Sequence, residues 1–267
     1  MKAKITLLLC TVLLAMLSCK QSQKNTDDST VASTEHQENE HHWSYSGETS
    51  PEHWIEIEKN SDCDGKHQSP INIIHKDVDS IKIKGDLKIQ YTPTTLISEA
   101  ENNGHSIQFD FEAGDSISYK NETYFLKQIH FHEPSEHKLN GVIYPIEMHL
   151  VHVSKSGKIT VLGLFGEEGE ESQLFEFFES FLPIKEGASK DIHQKVDLSS
   201  LLLKDKHYYS YGGSLTTPPC TESVNWVVFK EPIILSVEEV LKLKNNMPIN
   251  NYRNEQPINE RVVTYNY

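Results

Sequence analysis

The 267-residue chain is poor in positive charge and in cysteine, and it has no long apolar run beyond its first residues. Its 25 lysines and arginines face 39 acidic residues, a formal net charge of −14 with the histidines neutral. Without a basic stripe to displace phosphate counterions, this charge disfavours nucleic acid, and no nucleic-acid partner is expected. The one long apolar run, residues 5–17, is shorter than the ~20 residues a membrane span needs. No internal repeat and no second shift in composition mark off a further domain.

What is present begins with the export signal. In "MKAKITLLLCTVLLAMLSC", Lys2 and Lys4 precede the apolar run, and Ser18 precedes Cys19, the layout of a secretory signal peptide over 1–18. Met16-Leu17-Ser18-Cys19 resembles a bacterial lipobox, which would make Cys19 the lipidated first residue and a membrane anchor. A plain signal peptide cut near the same place is the alternative. Residues 19–40 are almost all small, polar or acidic; they cannot offset the entropy of ordering and read as a disordered tether. The expected product is an exported periplasmic or outer-membrane lipoprotein of a bacterium, with one folded domain over 41–267. Cys63 and Cys220 are then left as a lone pair in an oxidising compartment, where a disulfide is the natural reading.

The body reads as short strands. Residues 81–91 and 105–111 alternate apolar and polar types, and 124–132, 146–153, 159–165 and 224–229 are further candidates. Helices are expected over 172–183, with Leu174, Phe177, Phe178 and Phe181 on one stripe, and over 235–246, where Ser236 and Glu239 form a capping-box pattern. The fold class is mainly β, a single domain with short peripheral helices.

Histidine is concentrated in "QIHFHEPSEH" (128–137) and "PIEMHLVH" (145–152). Successive side chains of a strand alternate faces, so His130 and His132 point the same way, about 7 Å apart. On the second strand Glu147, His149 and Val151 share a face, and His152 takes the other. If the strands are neighbours, His149 completes a three-histidine set, the donor count of a catalytic zinc site with a position left open. Gln128 and Glu147, two residues before His130 and His149, are phased to orient those ligands. Local satisfaction of buried imidazoles is the competing account.

Together "QIHFHEPSEH", "IEMHLVH" and "YGGSLTTPPCTESVNWVV" resemble the α-class carbonic anhydrases. So do "HHWSYSGETSPEHW" (41–54), "QSPINI" (68–73), "NNGHSIQF" (102–109) and "NNYRNEQPINER" (250–261), in family order across 41–267. The resemblance implies a large, mostly antiparallel central sheet. It implies a zinc ion (Zn2+) held by His130, His132 and His149, whose bound hydroxide interconverts carbon dioxide and bicarbonate. It also implies that the Thr216 hydroxyl donates to Glu136 and orients the hydroxide, and that Thr217 borders the substrate. Val151, Val161, Leu215 and Trp226 would form the apolar wall beside the substrate. His105 would shuttle protons through water held by Tyr45 and Asn102. In the family Cys63 and Cys220 sit where many members carry a disulfide, bracing the Thr216 loop. Glu133-Pro134 departs from the Trp-Gly of many animal members.

Two other readings compete. The spacing of His130, His132 and Glu136 fits a cupin, in which Glu136 would be a metal ligand; a lipoprotein that carries zinc without catalysis is the second. The oligomeric state is open.

Overall fold

Burial along the chain follows the alternation of residue type. In Ile107–Phe111 the residues Ile107, Phe109 and Phe111 are buried, while Gln108 and Asp110 are partly exposed. The computed structural model describes residues 42–83, 86–201 and 206–266, without the side chains of 79–83. The signal peptide, Cys19 and the tether expected over 1–40 lie outside the described residues. Among those residues no helix is long and apolar enough to cross a membrane.

The strands assemble into a thirteen-stranded mixed sheet, and ten of them form a continuous path. Its order is Ala188–Val196, Thr95–Asn102, Ile107–Phe111, Glu122–His132, Ile146–Ser154, Ile159–Glu168, Glu222–Phe229, Tyr208–Ser214, Thr264–Asn266 and Asp79–Ile83. Most neighbours are antiparallel; Ile159–Glu168 runs parallel to Glu222–Phe229, and Thr264–Asn266 parallel to Asp79–Ile83. The mainly β fold with a large sheet and few short helices is therefore as expected.

Several boundaries differ. The expected strand over 81–91 is two, Asp79–Ile83 and Lys88–Gln90, which pair with different partners. Gly85 and Asp86, turn-forming types, fall between them. The first expected helix spans only Gln173–Glu179, capped by the Ser172 side chain. Pro183 disfavours helical backbone at Leu182, and the Ser180 hydroxyl donates to the Phe177 carbonyl where the helix ends. The second, Val237–Lys244, starts with the full capping box: Ser236 Oγ accepts from the Glu239 amide, and Glu239 Oε2 accepts from the Ser236 amide at 2.7 Å. Ala188–Val196 had no apolar alternation to betray it, because it is an edge strand exposed along most of its length.

Two cores flank the sheet. Phe109, Ile129, Phe131, Met148, Leu150, Leu162 and Leu164 point to one side, where both helices pack. Val161, Tyr211, Val224 and Trp226 point to the other, with Val151 and Leu215 packed against them. A smaller cluster joins Trp43 and Trp54 to the Cys63–Cys220 disulfide.

Candidate metal centre

The register across strands Glu122–His132 and Ile146–Ser154 sets His130 directly opposite His149, and His132 opposite Glu147. The pairing slips between Leu126 and Gln128, and beyond this bulge the strand is regular, so that Gln128, His130 and His132 share a face. One nitrogen from each of His130, His132 and His149 lies within 4.8 Å of the others.

Each second ring nitrogen is already committed. His149 Nε2 donates to Glu147 Oε1 at 2.9 Å, and His132 Nδ1 donates to the Asn251 carbonyl at 2.6 Å. His130 Nδ1 donates to Gln128 Oε1 at 2.7 Å. A carboxylate and a carbonyl only accept, so the tautomers of His149 and His132 follow from their partners. The three converging nitrogens are therefore lone pairs. His149 Nδ1 and His130 Nε2 are 3.3 Å apart with no proton to share, and His132 Nε2 is buried without a hydrogen-bond partner. Buried polar atoms are rarely left so. A cation among the three imidazoles satisfies all of them at once, so the residues fit a metal. Burial, reinforced by the neighbouring histidines, holds His130 well below its ordinary pKa, and burial also lowers His132; both are thereby kept as neutral donors.

The orienting residues form a continuous layer. Glu147 is fully buried, and its Oε2 accepts from the His137 amide at 2.8 Å while Oε1 faces His137 Nδ1 at 2.7 Å. Burial pushes this carboxyl up, but the combined attraction of His137 and His149 holds it well below the usual range. His137 Nε2 in turn meets the Tyr211 hydroxyl at 2.7 Å. Gly163 lies opposite His149, and a Cβ there would stand 3.0 Å from Glu147 Oε1. Asn251 is fully buried; its side chain accepts from the Glu133 amide and donates to the carbonyls of His105 and Phe131.

Glu136 Oε1 accepts from the Arg253 amide at 2.9 Å. Its Oε2 lies 3.4 Å from His132 Nε2 and 4.0 Å from His149 Nδ1, yet it is buried without a hydrogen-bond partner. The bond implied from the Thr216 hydroxyl to Glu136 is thus not made, although Thr216 is buried. Val151, Val161, Leu215 and Trp226 fall in one apolar cluster, with the Trp226 ring 4.8 Å from that of His149. Thr217 is partly exposed, and its carbonyl accepts from the Cys220 amide. Tyr45 sits near Glu136, and burial together with that carboxylate raises its phenol well above 10.0.

His105 is half-buried, stacked on Trp43 at 3.6 Å between ring centroids, with its Nε2 3.0 Å from His42 Nε2. Burial, and secondarily His42, lower it to about 4. Asn102 points elsewhere: its amide donates to the carbonyls of Ile184 and Asn246, and its oxygen accepts from the Gly104 amide. Glu133 is buried and accepts from Lys244 at 2.7 Å, which ties the end of the ligand strand to the second helix. His152 lies on the opposite face, bonded to Tyr91 and the Leu150 carbonyl.

Sequence reasoning missed Asn251, Gly163 and the service His137 gives to Glu147. A carbonyl has no side-chain signature, and the value of Gly163 is the side chain it lacks.

Comparison with known proteins adds a separate line. Residues 49–267 match the family model described as eukaryotic-type carbonic anhydrase. A carbonic anhydrase of Klebsiella pneumoniae is 40% identical over 228 residues, covering 83% of this chain and 90% of that protein. One from Neisseria gonorrhoeae is 38% identical over 231 residues, covering 84% and 88%. The alpha-carbonic anhydrase of Thermovibrio ammonificans, solved with the inhibitor sulfanilamide, superposes with a TM-score of 0.79 at 39% identity, covering 84% of this chain and 98% of that one.

Proposed function

The chain belongs to the eukaryotic-type carbonic anhydrases, and from that premise we propose a zinc enzyme that interconverts carbon dioxide and bicarbonate. The observation that carries the zinc assignment is the convergence of three imidazole lone pairs with tautomers set by Glu147, Asn251 and Gln128. Three nitrogen donors from histidine are the set of a catalytic zinc, and the metal's contribution when bound would be to lower the pKa of water to about 7, the magnitude known for carbonic anhydrases in general.

The protein's own residues do the rest. Glu147, Asn251 and Gln128 fix ring orientation and leave the donor nitrogens unprotonated. Val151, Val161, Leu215 and Trp226 offer a neutral, apolar substrate a dry wall. Thr216 orients the attacking oxygen, and the free Oε2 of Glu136 supplies the acceptor that would hold the Thr216 proton. Thr217 borders bicarbonate. His105 carries the released proton outward, with Tyr45 lining the way, when the imidazole leaves the stack on Trp43 that holds it at about 4 and regains its ordinary range.

Glu136→Gln tests whether that carboxylate serves Thr216 or the metal. The anhydrase reading expects about one zinc per chain to be retained while turnover falls on the order of 10²-fold, the scale for loss of one positioned polar group. Zinc lost in parallel with activity would make Glu136 a ligand, as in a cupin, and overturn the assignment.

The stacked position of His105 has a measurable signature. Trp43→Ala exposes the imidazole, so its pKa is expected to rise from about 4 toward the ordinary ~6.5, read by NMR titration of the ring protons. Because the folded value is depressed, the fold favours the neutral ring. That contribution is complete above pH ~6.5 and is lost as pH falls toward 4. A value unmoved by Trp43→Ala would show that burial against Trp43 is not its cause.

Export and anchoring are proposed from the amino-terminal sequence: a signal peptide over 1–18 and a lipid on Cys19 that holds the enzyme at a bacterial membrane through the 19–40 tether.

A further inference from the structure

Behind the metal-binding face of the sheet lies a cavity of about 310 Å³ that plays no part in carbon dioxide chemistry. Leu150, the neighbour of His149 on its strand, is one wall; Leu162, Leu164, Leu201 and Phe229 are others, all buried. Interiors are normally packed to crystal density, and a void forfeits the dispersion contacts of its lining. Its size is that of a small-molecule site.

Two observations indicate what would fill it. Lys88 and Lys206 line the cavity, and both are exposed. Among the described residues the lysine ion pairs are those of Lys138, Lys158, Lys242 and Lys244, so neither of these two cations is paired with a described carboxylate, although the charge of Asp86 reaches the Tyr208 hydroxyl on the same wall. Tyr208, also on the wall and 3% exposed, has a buried hydroxyl that makes no hydrogen bond of acceptable geometry, although the amides of Asp86 and Leu87 approach it. The other tyrosine of the lining, Tyr91, is occupied by His152 at 2.8 Å.

We propose that this cavity binds an amphipathic carboxylate, a medium-chain alkyl acid. Its hydrocarbon packs on the leucines, and its anion meets the two lysines and the Tyr208 O–H donor. A neutral alcohol of the same length would gain the burial and lose the charge pairing.

Calorimetric titration of the whole chain with decanoate, below its micelle concentration, tests this. Saturable binding of one decanoate per chain is expected. The Lys88→Glu, Lys206→Glu double variant should weaken it roughly tenfold, about 1.4 kcal/mol shared between two exposed charge pairs. Binding of 1-decanol and carbon dioxide hydration should be unchanged in that variant. Leu164→Phe, which adds bulk to the wall, should weaken both ligands. Decanoate should also raise the melting temperature of the wild type more than that of the lysine variant, a comparison that still decides if Leu164→Phe does not fold. No saturable binding, or equal affinity in the charge-reversed variant, overturns the proposal.

Discussion

Replacing His149 by alanine is expected to leave a folded chain holding less than about a tenth of its zinc, because loss of an orienting partner alone costs 10–100-fold in metal affinity and loss of a ligand costs more. Carbon dioxide hydration should fall at least about 10³-fold, since the metal is what supplies a nucleophile near neutral pH. His149 is the most exacting of the three to replace. It is 1% exposed, faces His130 across the strand pair, and gives its other nitrogen to Glu147. Its removal leaves Glu147 with His137 alone. The measurement is zinc content and stopped-flow hydration on one sample, with circular dichroism as the check on folding. A variant that keeps stoichiometric zinc and near-wild-type turnover would remove His149 from the site.

The second large effect is on stability. Cys63 and Cys220 close a loop of 157 residues in sequence separation. Constraining so long a loop in the unfolded chain is worth about 5 kcal/mol in the entropy model, and removal of native disulfides costs roughly 2–5 kcal/mol. At about 2–4 °C per kcal/mol for a domain of this size, the Cys63→Ser, Cys220→Ser variant should melt roughly 5–15 °C lower. The bond also braces the site. Cys220 follows Thr216 and Thr217 closely, Asp62 donates its amide to the Pro219 carbonyl at 2.9 Å, and Arg253 donates to the Cys63 carbonyl at 2.8 Å. The same Arg253 supplies the amide held by Glu136. Activity should therefore decline at a lower temperature in step with unfolding. Thermal unfolding without reductant checks this, and a melting point within about 2 °C of wild type would contradict it.

How far the site can be read from sequence depends on the reach of the signal. The shared face of Gln128, His130 and His132, and of Glu147, His149 and Val151, follows from a period of two that any short strand imposes. The pairing of those strands is what the structure adds, and it places His130 opposite His149. Asn251 acts on His132 from 119 residues away through a main-chain carbonyl, so no local pattern announces it. Strand Tyr208–Ser214 is not among the expected strands, and the need for Gly213 is set by distant residues, because a Cβ there would meet Ser69 Oγ and the ring of Tyr211. The capping box at Ser236 and Glu239 was legible because both partners lie within one helical turn.

The central claim is that three histidines hold one zinc that hydrates carbon dioxide. Stopped-flow hydration by the purified chain, with zinc determined on the same sample before and after chelation, tests it most directly. The account predicts fast hydration with about one zinc per chain, lost on chelation and restored by stoichiometric zinc. A chain that binds zinc fully and shows no hydration above the uncatalysed rate would contradict it.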